Sequence, residues 1–261
     1  MSLVLDHIVI AVRDLDDAAA DYAALGFTVV RGGAHANGIT HNVLVIFEDG
    51  AYLELIAWKR PDPGNRWWDV YERAGEGLID FALLPDEIEA VVAGAQARGL
   101  DIQNPIPGGR NRPDGARLEW RTARSPRPDV PFLCGDVTPR SLRVQEGAVR
   151  RHGNGVVGVA TLTVVVADLE ASVRRNAALL GFSPPTIQAE DVAGAPARSA
   201  TLTLANGTAV TWASPAASEG PLAASLAARG EGPFSASLRA AHPVGALDTS
   251  RSHGAPLSIT L

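Results

Sequence analysis

The chain has 261 residues, a formal net charge of -6 and 46% hydrophobic residues, enough for a sizeable core in two ordinary domains or one large one. The acidic balance and the absence of a long basic tract argue against nucleic acid or an anionic membrane as the main partner; the basic charge is almost all arginine, with Lys59 the only lysine, which reads as composition bias rather than function. One cysteine, Cys134, leaves no intramolecular disulfide and no cysteine-based zinc knuckle.

Leu3–Leu15 predicts a strand running into a helix. Strand alternation puts Asp6, Ile8, Ile10 and Val12 on one face and Leu5, His7, Val9 and Ala11 on the other. The first row suits the underside of a helix, and the second suits a concave, partly polar surface. Asp14 is placed as N-cap of a helix from Leu15 to about Leu25, which Gly26 stops. Phe27–Arg31 reads as a short strand, and Gly32–Gly38, with His35, as a glycine-rich connection with a surface role for the histidine. His41–Phe47 and Ala51–Trp58 read as antiparallel strands about the turn Glu48-Asp49-Gly50. On the second of these, Tyr52, Glu54, Ile56 and Trp58 share a face. A three-residue turn pairs Leu44 with Glu54 and turns Asn42 the same way; a two-residue turn would present His41 instead. The turn sequence favours Asn42.

Lys59–Gly75 reads as a connector holding Arg66-Trp67-Trp68. At Gly77 the pattern restarts, with a strand at Ile79–Leu84, a helix at Pro85–Arg98 and a stop at Gly99. Asp80 takes the place that His7 has in the first unit. Gly108–Gly115 (GGRNRPDG) reads as a loop, followed by a strand with Leu118 and Trp120, and Pro131–Asp136 as a short last strand. Val137–Gly153 is polar and aperiodic and reads as a linker. Beyond it, Ala160–Leu169 resembles Asp6–Leu15, and Ser199–Trp212 echoes the first hairpin. A last, truncated unit starts at Pro233. The aligned second half has Thr161 at the place of His7, Thr211 at that of Glu54 and Ser235 at that of Asp80. It keeps a scaffold without the ionisable groups, so chemistry belongs to the first half.

The expected layout is a domain at 1–138 with modules 1–58 and 76–136, a linker at 139–153, and a second, degenerate domain at 154–261. The segments LDHIVIAVRDLDDAAADYAALGF, GITHN at Gly38–Asn42, YLELIA at Tyr52–Ala57 and GGRNRPDG with Leu118 and Trp120 together resemble the vicinal oxygen chelate superfamily, in its glyoxalase-like branch. The resemblance implies an α+β fold, in which repeated βαβββ modules pair into two cup-shaped half-barrel sheets. It also implies a divalent metal ion (Zn, Ni, Mn, Fe or Co) held by His7 and Glu54, with a substrate chelating the ion through neighbouring oxygens. Imidazole plus carboxylate suits such ions, which would act as Lewis acids. Asp80 is a candidate third ligand or general base, and Cys134 falls loosely at a fourth position. One histidine with two carboxylates departs from the two-histidine, one-carboxylate set of non-haem iron oxygenases, which argues against dioxygenase chemistry.

Two function classes follow. One is a metal-dependent lyase or isomerase acting on a small oxygenated molecule, with Glu54 and Asp80 as catalytic groups. The other is a metal-free protein of the same fold that binds or sequesters a small molecule. In either, Asn42, His41, Tyr52 and Trp120 are candidate substrate contacts, and Arg110 and Arg112 sit in a stretch able to close over the cup and grip a carboxylate or phosphate. The second half is expected to act as scaffold or as a homodimer contact. With no basic-then-apolar leader pattern and no apolar run of bilayer length, a cytoplasmic location is expected.

Overall fold

A computed structural model describes residues 3–112 and 114–261; Met1 and Ser2 of the first domain and Pro113 of the GGRNRPDG stretch lie outside the described residues. The first half runs β1 (Leu3–Ala11), α1 (Leu15–Ala24), β2 (Val30–His35), β3 (Thr40–Ile46), β4 (Tyr52–Trp58), α2 (Arg66–Ala74), β5 (Gly77–Pro85), α3 (Ile88–Ala97), β6 (Ile106–Asn111), β7 (Arg117–Ala123) and β8 (Phe132–Asp136). A short helix α4 (Arg140–Arg143) and a 3-10 turn (Gly147–Arg150) lead into the second half. There follow β9 (Val156–Val165), α5 (Leu169–Leu180), β10 (Gln188–Val192), β11 (Ala195–Thr203), β12 (Ala209–Pro215), α6 (Pro221–Arg229), β13 (Gly232–Ala240), β14 (Gly245–Ala246) and β15 (Leu257–Thr260).

Among the described residues, eight strands close into a barrel in the order β1-β4-β3-β2-β6-β7-β8-β5. Each βαβββ unit supplies half of it. The halves meet along a long antiparallel β1–β5 seam and a short β2–β6 seam of two pairs, Ala34↔Asn111 and His35↔Arg110. The second sheet stays open, seven strands in the order β10-β11-β12-β9-β13-β15-β14. The α+β architecture of curled sheets is therefore the one expected.

Local chemistry explains the elements. The Asp14 carboxylate accepts from the Asp16 and Asp17 amides and starts α1, and Gly26 follows it with φ +89°. The outer faces of the barrel strands carry Leu5, Ile8, Ile10, Leu53, Leu55, Phe81 and Leu83, covered by helices that bring Ala18, Tyr22, Val91 and Val92. The same apolar cluster continues into Leu162, Val164, Val210 and Trp212 of the second sheet, so one core joins the two sheets.

Three sequence readings are corrected. Gly32–Gly38 is not all connection, because β2 continues through Gly32 and Gly33 to His35. A Cβ on Gly32 would lie 1.9 Å from Asn42 Oδ1, and one on Gly33 would lie 2.3 Å from the Asn111 carbonyl oxygen. Glycine here permits close strand contact rather than a loop. Gly108–Asn111 of the expected loop is likewise strand β6. The connector Lys59–Gly75 contains α2, capped by Asn65, whose side chain accepts from the Trp67 amide. The hairpin reading is as favoured, with Leu44 opposite Glu54.

Candidate active site

The barrel encloses a cavity of about 630 Å³, with His7, Asn42, Tyr52 and Glu54 in one wall and Trp120, Phe132 and Cys134 in the other. β1 is bulged between Leu5 and His7 in its pairing with β5. Strict alternation would set Leu5 beside His7. The bulge breaks the alternation, so Leu5 and Ile8 both enter the outer core while His7, Val9 and Ala11 keep to the inner side. Leu5 therefore does not share the His7 face.

His7 is buried between two carboxylates. Its Nδ1 lies 2.7 Å from Asp6 Oδ2 and its Nε2 lies 3.3 Å from Glu54 Oε2, while its ring stacks on Tyr52 at 4.6 Å between centroids. Both ring nitrogens face acceptors, which is the arrangement of a doubly protonated imidazolium. Burial alone would depress the His7 pKa; the hydrogen bonds and charges of Asp6 and Glu54 outweigh it and leave it raised. Asp6, fully buried, is held well below the usual carboxylate range: burial opposes, but Arg143, His7 and Arg140 prevail. Arg143 donates to Asp6 Oδ2 at 2.7 Å, to the Tyr52 hydroxyl at 2.8 Å and to Asp136 at 2.6 Å. Arg140 adds a 2.7 Å contact to Asp6. The stretch read as linker thus supplies two arginines to the site, and Asp6, Arg140 and Arg143 are among the residues that sequence reasoning missed. A carboxylate next to a strand histidine was the available signal for Asp6. The α4 arginines gave none, because Asp6, the site residue they share, lies over 130 positions away.

Glu54 Oε1 accepts from Asn42 Nδ2 at 2.6 Å, and His35 Nε2 lies 3.5 Å from the same oxygen. His35, expected at the surface, is therefore part of the site, steadied by Thr40 Oγ1 at 2.8 Å from Nδ1. Burial would raise the Glu54 pKa, but hydrogen bonds from His35 and His7 hold it well below the ordinary value.

Asp80 is placed apart from this group. It meets Arg66 at 2.6 Å, Trp67 Nε1 at 2.7 Å and Arg124 at 3.1 Å, with the Phe81 amide on its other oxygen. It is buried and does not line the cavity, although its three side-chain partners do. Burial pushes the Cys134 thiol up to about 12, so it stays protonated. Arg110 lines the cavity, whereas Arg112 does not: it pairs with Asp114 at 2.7 Å and donates to the Leu142 carbonyl. His41 lies outside the cup, beside Arg31 and Lys59 in a shallow second pocket.

Two imidazoles and a carboxylate, His7, His35 and Glu54, are suitable donors for a divalent ion. As placed, they engage one another rather than a common point, and among the described residues no group of three or more His, Cys, Asp or Glu side chains is arranged to hold a metal. The second half offers no equivalent. Thr161, Thr211 and Ser235 are half-buried, line neither cavity, and alternate with the core residues Leu162 and Val210.

A family model described as a glyoxalase-like domain matches residues 5–180. A hypothetical protein from Staphylococcus aureus is similar in structure over 99% of both chains, with a TM-score of 0.70 and 16% identity. A variant of 4-hydroxymandelate synthase from Streptomyces coelicolor matches over 90% of this chain and 70% of its own, with a TM-score of 0.63 and 16% identity. A fusion protein of a xylose isomerase-like TIM barrel and a 4-hydroxyphenylpyruvate dioxygenase matches over 90% of this chain and 36% of its own, with a TM-score of 0.52 and 15% identity. No curated protein matches the chain in sequence. Among the described residues no helix is long and apolar enough to cross a membrane.

Proposed function

The chain belongs to the family of glyoxalase-like domains, and from that premise we propose that it is a lyase or isomerase moving a proton on a small oxygenated molecule held in the first barrel. The observation that carries the reading is His7 clamped between Asp6 and Glu54 in the wall of an aromatic-lined cavity within the barrel. A ligand oxygen that takes the place of Glu54 beside His7 Nε2 receives an N–H from an imidazolium, which stabilises negative charge developing on that oxygen. Glu54, freed of one donor, becomes a stronger base and accepts the proton from the neighbouring carbon. Arg143 and Asp6 fix the ring and supply its counter-charge. Asp80, neutralised by two arginines, holds Arg66, Trp67 and Arg124 in place and takes no part in proton transfer. The division at 1–138, 139–153 and 154–261 is proposed as two tandem units, the second a degenerate repeat acting as scaffold or dimer contact, and the protein is proposed to be cytoplasmic.

The test is hydrogen exchange in heavy water. The full chain is incubated with α-oxo acids, α-hydroxy acids and vicinal diols, with chelator or with added Zn, Mn, Ni, Fe or Co. The expected result is exchange of an α-hydrogen that survives chelator and falls by ~100-fold or more in Glu54→Gln. Absence of exchange throughout, or exchange indifferent to Glu54→Gln, overturns the reading. A second reading, a divalent-metal enzyme, is favoured by His7 and His35 both turning a nitrogen toward Glu54; exchange that requires an added ion would select it.

A further inference from the structure

Taking the cup as a ligand site, as proposed above, its charges say what the ligand must carry. Four guanidiniums line the cavity: Arg66, Arg110, Arg124 and Arg143. Three of them have carboxylates at hand. Arg66 and Arg124 share Asp80, and Arg143 holds Asp6 and Asp136. Arg110 is 3% exposed and donates to the Gly32 carbonyl, and among the described residues no carboxylate pairs with it. Glu54 acts on it only through space, its oxygens being taken by His7, His35 and Asn42. A buried cation lacking a counter-ion is costly to keep. Its position is fixed by the fold: Arg110 stands opposite His35 across the two-pair seam that closes the barrel.

We infer that Arg110 is the counter-ion for a carboxylate on the ligand, which is a monocarboxylate with a flat apolar body. Arg110 is the cavity guanidinium with no carboxylate beside it among the described residues, and its planar fork matches the two oxygens of a carboxylate. A phosphate dianion held at Arg110 would bring a second negative charge into the neighbourhood of Glu54, which repels it. The body of the ligand meets Trp58, Trp67, Trp120 and Phe132, which line the same cavity. With its carboxylate at the β2–β6 seam, the rest of the molecule faces the His7–Glu54 pair.

Calorimetric titration of the full chain with naphthoate, naphthamide and naphthyl phosphate tests this. Wild type is expected to bind naphthoate ~10-fold or more tightly than naphthamide, and naphthyl phosphate no more tightly than naphthoate. Arg110→Met is expected to abolish the preference for the acid, with a circular dichroism spectrum and thermal midpoint that show the variant to be folded. Equal binding of acid and amide by wild type, a preference that survives Arg110→Met, or tighter binding of the phosphate overturns the inference while leaving the cup a ligand site. Failure of all three probes to bind overturns the inference and counts against the cup as well.

Discussion

Asp6 and His7 are adjacent in a strand, where side chains should part to opposite faces, yet their side chains touch at 2.7 Å. The bulge in β1 makes this contact, and the contact sets the charge of the site. Its consequence is a pH window. Asp6 and Glu54 lie below their ordinary values, so their stabilising contribution is complete above about pH 4.5 and is lost as pH falls through the lower folded values. His7 lies above its ordinary value, so its contribution is complete below about pH 6.5 and is lost as pH rises through the raised value. The cluster therefore predicts a thermal midpoint that is highest between these limits and falls on either side, with the alkaline fall removed in His7→Gln. Scanning calorimetry across pH checks it, and an alkaline fall that His7→Gln leaves intact would count against it. At this scale the sequence was half informative. His7, Glu54, Asn42 and Tyr52 stand together because alternation on β3 and β4 is regular. Asp6 was hidden because a one-residue bulge cannot be read from a run of aliphatic residues.

At the scale of elements, glycine patterns misled where backbones approach one another. Gly32-Gly33 and Gly108-Gly109 look like loops, but they are strand residues at the closing seam and its neighbour. The seam is short, and the Ala36 amide extends it by donating to the Gly109 carbonyl at 2.9 Å. Gly33, at φ +132°, faces the Asn111 carbonyl where a Cβ would fall at 2.3 Å. A backbone carbonyl cannot swing aside as a flexible side chain can, so Gly33→Ala is predicted to cost ~2–3 kcal/mol and to open the seam. Faster amide hydrogen exchange at Ala34 and Ala36, with little change in β1 and β4, is the expected signature. Unchanged protection at those two amides would mean that the seam does not depend on the missing side chain.

For the whole molecule, the shared core makes a claim about cooperativity. Trp212 of the second sheet sends its indole N–H to the Asp129 carbonyl at 3.2 Å, and the Asp129 carboxylate, fully buried, is met by Arg175 at 2.8 Å. Arg229 reaches the carbonyls of Glu76 and Leu78, and Arg98 reaches those of Ala178 and Leu179. With apolar packing continuous across this boundary, unfolding is predicted to be a single transition, with calorimetric and van't Hoff enthalpies in agreement. Two resolved transitions would contradict the continuous core. The tandem pattern of strands and helices was legible because hairpins and helix stops leave local marks. The closing of the first sheet and the joining of the cores were not, since both depend on contacts between residues far apart in the chain.

The measurement that bears most directly on the account is the protonation of His7 by nitrogen NMR of the labelled full chain, assigned with His7→Gln. At about pH 6, both ring nitrogens are predicted to carry protons, with signals unmoved by chelator or by added Zn. A neutral ring whose Nε2 signal shifts when Zn is added and returns with chelator would contradict the acid-base account and make His7 a metal ligand.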